Sequence, residues 1–359
     1  MSEIAHAQRA HARLSASRAE RFMLCPGSVK LESRMPWEPP GEAAQIGTAI
    51  HELSEAMLRG DALNPADYPD DHWNMANEYA EFVNNLCVQP KRKLIEVNLD
   101  EGLKSLHPAL GGTADAVLTE KRTLHVVDLK TGRIPVSAHN NKQMLTYALG
   151  AMRQFGAPAD IEVAMHIFQP RTGHNVWVTD GVTVLKHGHE LKVAAEAALS
   201  DDAPINPGGS QCQWCRAKPI CPALRERVQD AARTEFNTAA PNASAEGADM
   251  DEDATEAPDV TAEVLEEAQL AIMWGESVVS AAKQQLTAGK PIEGWQLRAG
   301  RKTRFWRDEA MVREALKDHP EAFDVRSPSA VAKLGIELSD DLVGVKESAP
   351  SLVRSKSSE

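Results

Sequence analysis

Three side chains able to cut a phosphodiester stand close together in this sequence. Asp115 closes Gly111-Gly112-Thr113-Ala114-Asp115, and Asp128 and Lys130 sit in Val126-Val127-Asp128-Leu129-Lys130. A carboxylate that holds a divalent cation, beside an ammonium that orients water, is what phosphodiester hydrolysis needs. In Asp128-Leu129-Lys130 a strand period of two places the carboxylate and the ammonium on one face, with Leu129 turned into the core. Asp-x-Lys alone carries little, because a chain of this length and ordinary composition holds about one by chance. The surrounding elements must carry the argument.

Leu124 to Leu129 is short and β-rich, as a buried strand should be. Ala114 to Leu118 reads as its hairpin partner, with 119–123 as a charged turn, and that pairing brings Asp115 and Asp128 to one sheet edge. Asn140 to Phe155 reads as a helix on which Gln143 and Tyr147, four apart, share a face. Ile46 to Leu58 is a second helix, its stripe made of Ile46, Ile50, Leu53 and Met57, with His51 and Glu55 on a common face beside it. His51 on its own fits an exposed or capping histidine equally well. Leu94–Leu99, Ile161–Phe168 and Val176–Val178 read as further strands, Val184–Leu199 as an amphipathic helix. Near the N-terminus, Ser17 is expected to cap a helix reciprocally with Glu20; the helix stops at Cys25-Pro26-Gly27. Residues 61–90 read as a loop followed by a helix carrying Trp73, Tyr79 and Phe82, with Cys87 in the core.

The second chemical signal is Cys212-x2-Cys215-x5-Cys221-Pro222. Three cysteines so close in a short loop call for a metal rather than disulfides. Cys25, in its own Cys-Pro context, is the candidate fourth ligand. Zinc and an iron–sulfur cluster both accept four thiolates.

Nothing at the N-terminus reads as a signal peptide and no apolar run reaches membrane-spanning length, so a cytoplasmic chain without a membrane partner is expected. The net charge of −13 is concentrated: 236–282 holds eleven acids and no Lys or Arg, which leaves the rest near neutral and able to form a local basic groove. Four segments are expected: a first domain over 13–235, an acidic disordered linker over 236–259, a small α+β domain over 260–346 and a tail over 347–359. Within the third, Gly294 to Trp306 reads as a hairpin turning at Ala299-Gly300, where Arg298, Arg301, Lys302 and Arg304 interleave with Trp295, Phe305 and Trp306. Such a mixture suits nucleic-acid backbone contact and base stacking, and a solvated hairpin with a core tryptophan equally.

The ordered set Ser15-x-Ser17…Cys25-Pro26, Gly47-x3-His51, Gly112-x2-Asp115, Asp128-x-Lys130, Gln143-x3-Tyr147 and Cys212-x2-Cys215-x5-Cys221-Pro222 resembles the RecB-like branch of the PD-(D/E)XK nucleases. The likeness is greatest to its iron–sulfur members, the AddB nuclease domain, CRISPR-associated RecB-like exonucleases and related phage proteins. It covers about 13–225, and its "PD" position is Ala114-Asp115. The resemblance implies an α/β, restriction-endonuclease-like mixed sheet flanked by helices. It implies a Mg²⁺- or Mn²⁺-dependent DNA nuclease, an exonuclease acting on single strands or duplex ends in DNA processing or recombination, with a recombination or replication protein as partner. His51, Asp115, Asp128 and the Leu129 carbonyl would bind the metal, and Lys130 would orient water or neutralise phosphoryl charge. Gln143 and Tyr147 would position Lys130 and the DNA. Cys25, Cys212, Cys215 and Cys221 would hold a [4Fe–4S] cluster, with Zn²⁺ as the alternative. Two rival readings are a catalytically dead DNA-binding module of the same fold and a zinc-clasped structural protein.

Overall fold

A computed structural model describes residues 12–87, 89–239, 261–319, 327–333, 335–347 and 351–354. Backbone packing divides the chain into Met1–Ala271 and Ile272–Glu359.

The first unit is built on a five-stranded sheet. In chain order its main elements are helices α1 (Glu42–Arg59) and α2 (Asp70–Leu86), strands β1 (Arg92–Asn98), β2 (Thr113–Glu120) and β3 (Thr123–Leu129), helix α3 (Lys142–Phe155), strands β4 (Glu162–Gln169) and β5 (Gly173–Asp180), and helix α4 (Gly181–Leu199). The strands lie side by side in sequence order, antiparallel except for β3 and β4, which run parallel with α3 as their crossover. The class is therefore mixed α/β, with a mixed sheet flanked by helices.

Alternation along the strands builds two cores. Leu124, Val126, Val163, Met165 and Ile167 pack with α3 and α4 on one side. Ala116, Leu118, Val127 and Leu129 pack with Ile50, Leu53, Met75, Tyr79 and Val83 of α1 and α2 on the other. Leu129 is 1% exposed, as the period of two requires. That period breaks at one place. Ala114 joins the first core and Ala116 the second, and between them Asp115 lies opposite Glu96 of β1. Glu96 has φ 49°, the left-handed region a glutamate seldom enters.

Asn141 Oδ1 accepts the Met144 N–H at 3.1 Å and so caps α3. The short helix Asp100–Lys104 packs on α3 so closely that a Cβ on Gly102 would stand 2.1 Å from the Gly150 carbonyl oxygen. Gly102→Ala must push the short helix and α3 apart. We expect a loss of about 1–3 kcal/mol, read from the chemical-denaturation midpoint.

Several expectations need correction. The hairpin β2–β3 turns through only Lys121 and Arg122, Lys121 with φ 50°, because both strands continue pairing up to Glu120 and Thr123. The Ser17–Glu20 capping box does not form: Ser17 lies in a single 3₁₀ turn, Ala16–Arg18, and its hydroxyl meets that of Ser15 at 3.1 Å. Helix Pro222–Ala239 runs past the expected start of the linker, of which 240–259 lie outside the described residues.

In the second unit, Trp295–Arg298 and Lys302–Trp306 are not each other's hairpin partners. The first pairs with Ser351–Arg354 and the second with Val343–Glu347, so the expected tail supplies a strand. Trp306 packs on a small core of Val312, Leu316, Val331, Leu342 and Val343, which is the core-tryptophan reading, while Phe305 is exposed. No helix among the described residues is long and apolar enough to cross a membrane.

Candidate active site and cysteine cluster

The C-terminal end of β3 gathers side chains from both faces of the sheet. Asp115 reaches across from β2, where its Oδ2 accepts the Leu129 N–H at 2.7 Å. Its Oδ1 lies 3.4 Å from Nδ1 of His51, delivered by α1 from the second core. His51, Asp115 and Glu96 each offer one donor atom, all within 4.8 Å of one another. Glu96 was not singled out in the sequence. Its place opposite Asp115 depends on β1 pairing with β2, although an acid set between Leu94-Ile95 and Val97 was a visible hint.

The other half of the site is a chain of polar contacts. Lys130 Nζ lies 2.7 Å from Asp128 Oδ2 and donates to Gln143 Oε1 at 3.2 Å. Gln143 Nε2 donates to Asp128 Oδ1 and to the Tyr147 hydroxyl, each at 3.0 Å. One amide thus ties together carboxylate, ammonium and phenol, and the four-residue spacing on α3 makes the grip possible.

Burial sets the electrostatics. It pulls the His51 imidazole down, but Asp115, by charge and hydrogen bond, outweighs it and pushes His51 up to about 9. Burial would raise Asp115; His51, the Leu129 N–H and Lys130 hold it below its ordinary value. Asp128 rises instead, through burial and the neighbouring Asp115 against the pull of Lys130. For Lys130, burial is overcome by Asp128, and the amine stays a cation. Tyr147 is raised well above its ordinary range by burial and by Asp128 and Asp115, so its hydroxyl remains protonated.

The four predicted cysteine ligands also come together. Cys25, Cys212, Cys215 and Cys221 are buried free thiols lining one small cavity with Ile205, Lys218 and Leu224. Cys25 Sγ accepts the Asn206 N–H at 3.2 Å. Burial raises the thiols of Cys25 and Cys212 and, with help from Glu32, pushes Cys215 up to about 11. Protein contacts lock the two ends of the unit around them. Gly27 N–H donates to the Pro204 carbonyl at 2.8 Å, Arg21 pairs with the buried Glu32 at 3.1 Å, and Glu32 accepts the Arg216 N–H at 2.9 Å. A side chain on Gly27 would run into Ile205 and the Ala203 carbonyl.

Fold and site together define a mixed α/β protein with an acid–lysine–histidine cluster at the C-terminal end of β3 and four thiols, from Cys25 and residues 212–221, lining one cavity. The chain belongs to the DUF2800 family, described as a protein of unknown function, whose model matches residues 11–325. A solved structure titled "Crystal structure of SSO0001" aligns at 13% identity over 62% of this chain and 90% of that one, with a TM-score of 0.29.

Proposed function

We propose that this chain is a Mg²⁺- or Mn²⁺-dependent DNA nuclease with a RecB-like, restriction-endonuclease-like first unit. The observation that carries the reading is the convergence, at one end of β3, of a His51–Glu96–Asp115 donor set with an Asp128–Lys130–Gln143 chain. Two carboxylates and an imidazole suit Mn²⁺, and Mg²⁺ through its preference for oxygen. Bound there, the cation would acidify a water and neutralise the scissile phosphate.

Lys130 stays protonated beside Asp128, so it acts as a fixed positive charge and donor towards the phosphoryl oxygens, not as the base. Gln143 holds Lys130 in place, and Tyr147 in turn accepts from Gln143. Gln143→Ala leaves the metal donors intact and frees Lys130 to wander. We expect kcat to fall up to about 100-fold, less than on loss of a metal donor. Unchanged single-turnover rates would remove Gln143 from the machinery.

His51 gives this reading a pH signature. With its value at about 9, His51 is protonated at neutral pH before metal arrives and must give up that proton to become a ligand. Mn²⁺ binding should release a proton and tighten roughly tenfold per pH unit as pH approaches 9. Calorimetry in buffers of different ionisation heat reads the release. The raised value works oppositely on the metal-free fold: its stabilisation is complete below the ordinary 6.5 and is lost as pH rises through about 9. The decisive assay is hydrolysis of single- and double-stranded DNA labelled at one end, with Mg²⁺ or Mn²⁺, which also separates exonuclease from endonuclease products.

A further inference from the structure

The sheet face against α2 carries three stacked imidazoles that play no part in the proposed chemistry. His125 on β3, His166 on β4 and His174 on β5 have ring centroids 5.4 Å apart at each step. His125 Nδ1 meets His166 Nε2 at 3.1 Å, and His166 Nδ1 meets His174 Nε2 at 3.2 Å. Phe82 of α2 closes the far end, 4.5 Å from the His174 ring. At the near end, Cys87 just beyond α2, Glu120 at the end of β2 and His125 each present a donor atom, all within 4.8 Å of one another.

We propose that Cys87, Glu120 and His125 form a second metal site, for a zinc-class divalent cation, separate from the donor set at His51 and Asp115. Sulfur, nitrogen and oxygen in one set select a borderline-soft cation over Mg²⁺ or Mn²⁺. A thiolate and a carboxylate would balance the charge of such an ion, and three protein ligands leave its fourth position open.

The ladder explains how the imidazole is prepared. With Nδ1 of His125 turned to His166, Nε2 is the nitrogen left for a metal. That nitrogen is unprotonated only if Nδ1–H donates to His166, which must then donate its own Nδ1–H to His174. A ligating histidine with its other N–H held by a neighbour is the usual support for such a site. Cys87 is 4% exposed, so its sulfur is held beside Glu120 and His125 out of water, and a cation would take it as the thiolate. This inference does not rest on the nuclease reading.

The test is full-length protein dialysed against Zn²⁺, with bound metal measured by mass spectrometry. Cys87→Ala and His125→Gln should each hold one zinc equivalent fewer than wild type, whatever the other four cysteines carry. His166→Gln should keep the stoichiometry at saturation but bind about 10-fold or more weakly. Added Co²⁺ should give a thiolate charge-transfer band that is stronger in wild type than in Cys87→Ala by one thiolate's contribution. Should Cys87→Ala fail to fold, Glu120→Gln at the partly exposed strand end replaces it, with weaker zinc binding expected at an unchanged metal-free Tm. Equal zinc content in wild type, Cys87→Ala and His125→Gln, a cobalt thiolate band of equal strength in wild type and Cys87→Ala, or undiminished zinc affinity in Glu120→Gln overturns the proposal.

Discussion

Asp128→Asn and Lys130→Ala should each cut DNA cleavage by at least about 100-fold, and Asp115→Ala should abolish it. The choice of asparagine follows from the site. Asp128 is 3% exposed and its Oδ1 accepts the Gln143 N–H, so alanine would open a buried gap and leave that donor without an acceptor. A buried donor left unsatisfied costs about 1–3 kcal/mol and would confuse unfolding with lost chemistry. Asparagine keeps an oxygen for the Gln143 N–H while removing the charge. Lys130 has 29% of its side chain exposed, and the carboxyl it leaves behind, already raised by burial, can neutralise by taking up a proton. DNA binding should survive all three changes, because what they remove is felt in the transition state more than in the ground state. A wild-type rate for Asp128→Asn with Mn²⁺ would defeat the nuclease reading outright.

Cys25→Ser is the second large effect. It should lose the cluster and destabilise the first unit, and magnitudes show why. Each hydrogen bond across the clasp, such as Gly27 N–H to Pro204, is worth about 0.5–1.5 kcal/mol. A structural metal held by thiolates contributes on the order of 10 kcal/mol to folding, comparable to the whole stability of a domain. A metal bound there would outweigh the surrounding contacts, and a large fall in Tm with loss of metal is the expected result. Cys87→Ala should leave that cluster untouched, since Cys87 lies against Glu120 and away from the thiol cavity.

Four thiols around one cavity are a ligand set that an iron–sulfur cluster and zinc both accept, and colour separates the two. Anaerobically purified protein should be brown. Colourless protein with one zinc per chain at the clasp would keep the clasp and overturn its cofactor. Undiminished clasp metal in Cys25→Ser would remove Cys25 from the ligand set.

Features set by neighbours in the chain were legible from residue order alone. A period of two put Asp128 and Lys130 together and sent Leu129 to the core, and a period near four put Gln143 against Tyr147. The clustering of Cys212, Cys215 and Cys221 follows from their spacing. What tertiary structure decided is what lies across strand pairings and between layers. Glu96 enters the site only because β1 registers on β2 with a left-handed residue opposite Asp115. The imidazole ladder exists only because β3, β4 and β5 stand side by side. Residues Trp295–Trp306 carry a local hairpin signal, yet both strands take partners some forty or more residues further on. Local periodicity reports which face a side chain occupies. Which distant face it meets is settled by burying two cores on one sheet at once, a condition no single segment contains.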